Sequence, residues 1–181
     1  RIGRRKVMKM KKTRGIIYLQ LILSTFFLTV LDQWTKHLAV THLQNQSDIS
    51  LIDGVLSLHY LENRGAAFGV FQNRQGAFFI LTVVILAFIL YVLWRMPVTK
   101  KYLPVRILCF FLTSGALGNL IDRIRLKYVI DFIYFSLIDF PVFNVADIYV
   151  TVSMIVLLLL VLFYYKDEDD FAFLSPKKKG K

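Results

Sequence analysis

Four long apolar segments without a charged residue dominate the pattern along the chain. They contain 17, 19, 15 and 18 residues and run over Gly15–Leu31, Gly76–Trp94, Ile107–Ile121 and Ile148–Tyr165. A helix needs roughly 17–25 apolar residues to cross a hydrocarbon core of about 30 Å. Three segments reach this length, and the third needs residues from its flanks. The pattern therefore predicts four transmembrane helices, over about 14–38, 76–94, 102–124 and 145–165.

A different pattern fills the longest interval between these segments, residues 41–75. Val55–Tyr60 mixes β-branched and aromatic residues with partial alternation, and Gly54 and the turn Asn63–Gly65 interrupt the segment. Such a pattern is typical of short strands. The predicted fold class is thus an all-α membrane protein with four transmembrane helices and a small extracytoplasmic β-sheet platform between helices one and two. The other outer interval, 127–143, is rich in aromatic residues and is expected to be a loop at the headgroup level.

The positive charge is distributed unevenly between the two sides of the predicted bundle. The formal net charge is +11, and 17 of the 23 Lys and Arg residues lie in 1–14, 95–106 and 166–181. Basic residues close to spans mark the cytoplasmic face. We therefore expect a basic cytoplasmic N-terminus over 1–13, a four-helix membrane domain over 14–165 and a disordered cytoplasmic tail over 166–181. The charge gives the orientation of the chain and does not indicate a nucleic-acid partner.

Metal-binding and disulfide patterns are not found in the sequence. The single cysteine, Cys109, lies inside the third apolar segment and is expected to pack there, and the three histidines are scattered without metal-ligand spacing. No metal or other cofactor is predicted. Residues 1–9 precede Met10 and resemble an upstream or cloning-derived extension, so the fold is considered without them.

Three carboxylates are predicted to lie just inside the outer membrane boundary. If Arg106 marks the inner boundary, Asp122 lies 16 residues further along helix three. That distance is about 24 Å at 1.5 Å per residue. The same estimate places Asp32 and Asp147 at similar heights. Acidic residues at such depth are costly to bury and are usually functional.

Polar residues on helices three and four recur at helical spacing. They form two stripes, Gly115, Asn119 and Asp122 on helix three and Asn144, Asp147 and Thr151 on helix four. Because consecutive antiparallel helices usually pack together, the stripes are expected to face each other and to bring Asp122 close to Asp147.

Two close carboxylates in a site of low dielectric can share one proton and act as acid and base. The spacing leaves three interpretations open: catalysis, structural ion pairs with Lys36, Arg123 or Arg125, and a proton path of a transporter. A non-catalytic membrane scaffold is a further alternative, but it gives no reason for two polar stripes at one height. A transporter would more often show internal repeats and carboxylates at mid-depth.

Several short motifs, taken together, resemble those of lipoprotein signal peptidase (signal peptidase II). They occur in order, at family-like spacing, from about residue 10 to residue 165. The motifs are Asp32–Lys36, Asn63–Gly69, Gly115–Arg123, Val129–Phe132 and Phe143–Asp147. One departure is Ser114, where the family usually has a glycine; serine is also small, so the Ser114-x-x-x-Gly118 pair still allows close helix approach.

The resemblance implies roles for individual residues. Asp122 and Asp147 are expected to be the catalytic aspartates, and Asp131 is expected to support its loop. Residues 66–71 resemble the family's short surface helix over the substrate. Supporting or substrate-binding positions are expected at Asp32, Lys36, Asn63, Gly65, Asn119, Arg123 and Asn144.

The resemblance also implies the substrate and the location. The expected activity is removal of the signal peptide from bacterial prolipoproteins that carry diacylglycerol on a cysteine, with cleavage just before that cysteine. The expected partners are these substrates and membrane lipids, with no nucleic acid and no second subunit. The expected location is the bacterial cytoplasmic membrane, with the active site at the outer leaflet.

Overall fold

The four apolar segments form four long helices. In the computed structural model, which describes residues 2–65 and 75–175, they are Ile2–Leu43 (α1), Gln75–Arg95 (α2), Leu103–Leu126 (α3) and Val145–Phe163 (α4). Each contains a segment that is long and apolar enough to cross a bilayer. The predicted fold class is confirmed, and the chain is a multi-pass membrane protein. The expected surface helix over 66–71 lies outside the described residues.

Three antiparallel strands form the predicted platform. They are Ile49–Ile52 (β1), Leu56–Asn63 (β2) and Val129–Tyr134 (β3), with β2 in the centre. The sequence analysis expected 127–143 to be a loop and missed β3. Residues 129–132 are buried without alternation, so β3 lacks the period-two pattern by which a half-buried strand is recognised.

Packing against this sheet explains why α1 continues to Leu43, beyond the expected end near Leu38. Ala39 and Leu43 are buried together with Ile130 and Phe132 of β3. The C-terminal end of α1 therefore has an apolar partner in the sheet. This small core holds the helix and the sheet in one unit.

The small residues of α3 let two other helices approach it closely. A Cβ atom added to Gly115 would lie 2.6 Å from the backbone oxygen of Ala146 in α4, and one added to Gly118 would collide with the Asp32 carboxylate of α1. Ser114 is fully buried and donates its hydroxyl to the Phe110 carbonyl within the helix. Because α3 contacts α1, α2 and α4, its polar residues lie at the centre of the bundle.

At the opposite end of the bundle, aromatic residues close an apolar cluster. Cys109 lies in this cluster, as expected for a packing residue. The chain after α4 joins it through a 3₁₀ helix, Glu168–Leu174. Tyr102 donates its hydroxyl to the Asp170 carbonyl at 2.8 Å, and Arg95 donates to the Phe173 carbonyl at 2.8 Å. The expected disorder of the tail is therefore wrong for residues 168–174.

The close approach of α3 and α4 predicts opposite effects of two glycine substitutions. Gly115→Ala should lower the free energy of unfolding by about 1–3 kcal/mol, because the added methyl group meets the rigid Ala146 backbone. Gly76→Ala is the matched control, since open space surrounds Gly76 and alanine is the better helix former by up to about 1 kcal/mol. Thermal unfolding in detergent measures both. Equal stability of the two variants would contradict the close packing.

Candidate active site

A buried ion cluster joins α1 to α3. The ammonium group of Lys36 lies 2.9 Å from an oxygen of Asp32 and 2.9 Å from an oxygen of Asp122. Asp32, Lys36 and Asp122 are exposed by 0%, 1% and 2% of their surface. Asp32 and Lys36 are four residues apart and so share one face of α1. A buried charge is costly unless it is paired and hydrogen-bonded, and here each charge is paired.

The remaining carboxylate oxygens of this cluster also have donors. Asp32 accepts from the Ala146 backbone N–H at 2.9 Å, and Asp122 accepts from the Gln33 side chain at 2.8 Å. Asp122 further accepts from the backbone N–H of Ile130 at 3.3 Å, at the start of β3. The cluster therefore joins four elements, α1, α3, α4 and β3.

Two asparagines connect this cluster to Asp147. The side-chain oxygen of Asn119 accepts from Lys36 at 2.9 Å and from Asn144 at 3.1 Å. Its amide nitrogen donates to Asp147 at 2.8 Å. Asn144 begins α4 with a capping box, in which its side chain accepts from the Asp147 N–H and Asp147 accepts from the Asn144 N–H. The N-terminal turn of α4 thus determines the position of the Asp147 carboxylate.

Asp131 is held from the other side, on strand β3. Its carboxylate accepts from Asn63 at 2.8 Å and from the Asn144 side chain at 2.6 Å. The pairing of Asn63 with Val129 between β2 and β3 brings the amide of Asn63 to Asp131. Burial, and after it the negative charge of Asp147, raises the pKa of Asp131 from its ordinary 3.8 to about 7. Asp131 can therefore hold a proton at neutral pH.

A cavity of about 630 Å³ opens beside these two carboxylates. Its polar lining residues are Asn63, Arg123, Asp131, Asp147 and Thr151, with Gly65 at its edge. Its apolar walls come from α2, α4 and the α3–α4 segment and include Phe78, Phe135, Phe140, Phe143 and Val152. The guanidinium group of Arg123 lies 4.5 Å from the centre of the Phe78 ring. The cavity therefore combines two carboxylates with largely apolar walls.

Asp122 does not line this cavity. It borders a separate cleft of about 180 Å³ together with Gln33 and Lys36. The sequence analysis expected Asp122 beside Asp147, and the structure places Asp131 there instead, because Asp122 turns toward α1 to pair with Lys36. The structural ion pair between Lys36 and Asp122, one of the alternatives that the spacing left open, is present.

The other expected site residues gather in the same network. Asp32, Lys36, Asn63, Asn119, Arg123 and Asn144 all contribute to it or to the cavity. Asp131 is the residue whose importance the sequence analysis underestimated. A carboxylate inside the apolar run Val129–Tyr134 was the available signal, because burying it in a strand is costly.

The sequence of the chain matches that of a known protein family over most of its length. Residues 24–163 match the family model of signal peptidase (SPase) II. The chain belongs to the signal peptidase II family. This match covers α1 from residue 24 onward, the whole of α2, α3 and α4, and every residue of the network.

Similar members of this family are named lipoprotein signal peptidases. One from Streptococcus pyogenes serotype M1 is 40% identical over 136 residues, which are 75% of this chain and 88% of that protein. One from Streptococcus thermophilus strain CNRZ 1066 is 42% identical over 127 residues, 70% of this chain and 82% of that protein. The aspartic-type peptidase class expected from the sequence is confirmed by this membership.

A solved structure also matches this chain. It is described as a bacterial membrane enzyme structure at 2.3 Å resolution, and it is 31% identical with a TM-score of 0.71. The match covers 82% of this chain and 92% of that chain.

Within residues 2–65 and 75–175, no three His, Cys, Asp or Glu side chains are grouped closely enough to hold a metal ion.

The buried ion cluster predicts a large effect of removing its cation. Lys36→Met should destabilise the fold by about 3–5 kcal/mol, because Asp32 and Asp122 would be left buried without a positive partner. Lys127→Met is the control: it removes an equal charge from an exposed side chain and should change stability by less than about 0.5 kcal/mol. Thermal unfolding in the same detergent compares them. Similar melting temperatures for both variants would contradict a structural role for the cluster.

Proposed function

We propose that this chain removes the signal peptide from diacylglyceryl-modified prolipoproteins, cutting just before the lipidated cysteine, with Asp131 and Asp147 as its reacting carboxylates. The observation that carries this assignment is that both carboxylates line one cavity in a chain of the signal peptidase II family. Asp131 replaces Asp122 of the sequence-based pair, since Asp122 is held by Lys36 outside that cavity.

The proposed reaction is a metal-free hydrolysis. Asp147 accepts a proton from a water molecule as the water attacks the scissile carbonyl carbon, and protonated Asp131 gives its proton to the carbonyl oxygen. The tetrahedral intermediate then collapses: the C–N bond breaks, the leaving amine takes the proton from Asp147, and Asp131 regains a proton from the hydroxyl that becomes the new carboxyl oxygen. Both carboxylates return to their starting states, and the only reactant consumed besides the peptide is water.

The hydrogen bonds around the pair support this division of roles. Asn119 and the N-terminal turn of α4 orient Asp147, while Asn63 and Asn144 orient Asp131. Asn144 contacts both carboxylates and therefore sets their spacing. A peptide in the cavity would lie beside Asn63 and Arg123, which supply donors for its backbone carbonyls. Such pre-oriented groups lower the barrier because no reorganisation is needed during reaction.

The walls of the cavity suit a lipidated substrate. Phe135, Ile138 and Phe140 line the cavity and are also exposed by 39%, 68% and 46% of their surface. An apolar surface of this kind next to a membrane is suited to acyl chains and to an apolar signal peptide. Prolipoprotein substrates therefore fit the site better than soluble peptides.

We further propose that both ends of the chain face the cytoplasm and that the site lies at the outer leaflet of the bacterial cytoplasmic membrane. The support is the excess of Lys and Arg at the end of the bundle opposite the carboxylates. The chain is proposed to act as a monomer surrounded by membrane lipids, because one copy supplies both carboxylates and the cavity walls described above.

Substitution of single aspartates tests which pair reacts. Asp131→Asn and Asp147→Asn should each lower kcat by about 10³-fold or more, a loss of about 4 kcal/mol of transition-state stabilisation. Asp122→Asn is the matched control. It weakens the ion cluster and should lower the melting temperature, but folded enzyme should retain kcat within about tenfold, a change of about 1.4 kcal/mol. Initial rates on a lipidated peptide, corrected for folded protein, give the comparison. An inactive Asp122→Asn and an active Asp131→Asn would restore the sequence-based pair.

The raised pKa of Asp131 predicts the alkaline limb of the rate profile. Because Asp131 must be protonated to donate, kcat should fall as the pH rises through the pKa of about 7. The limb is measured from initial rates over about two pH units on either side of that value, from about pH 5 to about pH 9. Circular dichroism at each pH confirms that the enzyme stays folded. A rate that stays constant to the alkaline end of the range would show that Asp131 does not supply the proton.

Removal of the lipid from the substrate tests the substrate class. A peptide without diacylglycerol should be cut far more slowly than the same peptide with it, because each buried CH₂ contributes about 0.8 kcal/mol to membrane anchoring. Equal amounts of the two peptides are compared with one enzyme preparation. Equal efficiency would make a general intramembrane aspartyl peptidase the better description.

A further inference from the structure

A second cavity lies between α1 and α3, away from the reacting carboxylates. This α1–α3 groove has a volume of about 840 Å³ and is lined by residues between 21 and 34 of α1 and between 113 and 125 of α3. Most of its walls are apolar, with Leu21, Ile22, Phe26 and Val30 on one side and Leu117 and Ile121 on the other. Neither Asp131 nor Asp147 borders it, so it is distinct from the peptidase cavity.

The length of the groove corresponds to one leaflet of a bilayer. From Leu21 to Trp34 the groove follows 13 residues of α1, a distance of about 20 Å at 1.5 Å per residue. Half of a hydrocarbon core of about 30 Å is about 15 Å. Both helices lie within candidate membrane spans. The groove therefore runs from mid-membrane to the boundary on the side of the reacting carboxylates.

The boundary end of the groove carries a positive charge. Arg125 lines the groove and is exposed, and no ion pair to it is found within residues 2–65 and 75–175. Trp34, 56% exposed, lies at the same end. Tryptophan rings prefer the headgroup level, and guanidinium groups bind phosphate oxygens with good geometry.

A small polar cleft adjoins this end. It has a volume of about 180 Å³, and it shares Gln33 and Arg125 with the groove. His37 also lines it. An apolar channel one leaflet long thus leads into a small cleft with a cation at the junction.

We propose that the α1–α3 groove binds an acyl chain of an anionic phospholipid whose phosphate is held by Arg125. The chain fits the apolar walls, the phosphate neutralises the unpaired guanidinium group, and the glycerol headgroup occupies the adjoining cleft. Gln33 borders both spaces and donates to Asp122, so the bound lipid stabilises the contact between α1 and α3 next to the ion cluster. The proposal rests on the position of the helices in the membrane and does not depend on the peptidase mechanism.

Native mass spectrometry of the full chain in detergent tests this site. Phosphatidylglycerol is titrated against the wild type, Arg125→Gln and Lys127→Gln, and phosphatidylcholine with the same acyl chains is titrated against the wild type. Lys127 is an exposed cation two residues further along the chain, and it does not line the groove. A fourth protein, Leu117→Trp, fills the groove with a larger side chain. Thermal unfolding of each variant confirms that it is folded.

The expected result is a first phosphatidylglycerol molecule that binds tightly to the wild type and to Lys127→Gln. Arg125→Gln should weaken its binding by about tenfold, the value of one charge-assisted hydrogen bond. Phosphatidylcholine should bind more weakly, and Leu117→Trp should lose the tight molecule. Equal binding by Arg125→Gln and Lys127→Gln would overturn the phosphate site, and equal binding of the two lipids would overturn the choice of an anionic lipid. Unchanged binding by folded Leu117→Trp would overturn the groove.

Discussion

Lys36 brings a positive charge into the interior of a bundle whose outer surface faces lipid. The desolvation of an ammonium group and of two carboxylates costs several kcal/mol per ion, and only close pairing with further hydrogen bonds offsets it. Asp32 and Asp122 supply the pairing, and the backbone of Ala146 and the side chain of Gln33 supply donors to the two carboxylates. Because these groups come from α1, α3 and α4, the arrangement of the helices is coupled to the pairing of one cation.

The two carboxylates that line the cavity depend on this cluster through their neighbours. Lys36 donates to Asn119, which also contacts Asn144 and Asp147. Asn144 in turn donates to Asp131. The four aspartates of this network thus divide into two that pair with Lys36, Asp32 and Asp122, and two that line the cavity, Asp131 and Asp147. Within residues 2–65 and 75–175 neither carboxylate of the second pair forms an ion pair, and burial together with the charge of Asp147 raises the pKa of Asp131. One proton held by the pair is the condition that acid–base hydrolysis without a metal requires.

The helices and most of the network could be predicted from the sequence. Uncharged runs of 17, 19 and 18 residues permit few structures other than membrane spans. The helical spacing of Asn119 and Asp122 indicated that the two residues lie on one face of the same helix. Strand β3 could not be predicted in this way. Its burial on both faces removes the alternation. Its pairing partner β2 is also distant along the chain, because the paired residues Asn63 and Val129 are 66 positions apart.

Because β3 was missed, the sequence analysis did not place Asp131 in one cavity with Asp147. Spacing along α3 shows that Asp122 faces other helices, but it does not show whether the side chain turns toward α1 or α4. The position of Lys36 decides this, and it depends on how α1 packs against Gly118. Asp131 reaches the cavity only because β3 pairs with β2. The disorder expected for residues 168–174 was wrong because the acidic composition concealed aromatic contacts with Tyr102 and Tyr165.

The central claim is that Asp131 and Asp147 act as one unit while Asp122 belongs to the structural cluster. A double-mutant cycle on kcat tests it most directly, with Asp131→Asn and Asp122→Asn each combined with Asp147→Asn. Groups that act as a unit are strongly non-additive. The account predicts that Asp131→Asn adds almost nothing to the loss already caused by Asp147→Asn, while the effect of Asp122→Asn stays the same in both backgrounds. The claim is contradicted if the losses at Asp131 and Asp147 multiply while those at Asp122 and Asp147 do not.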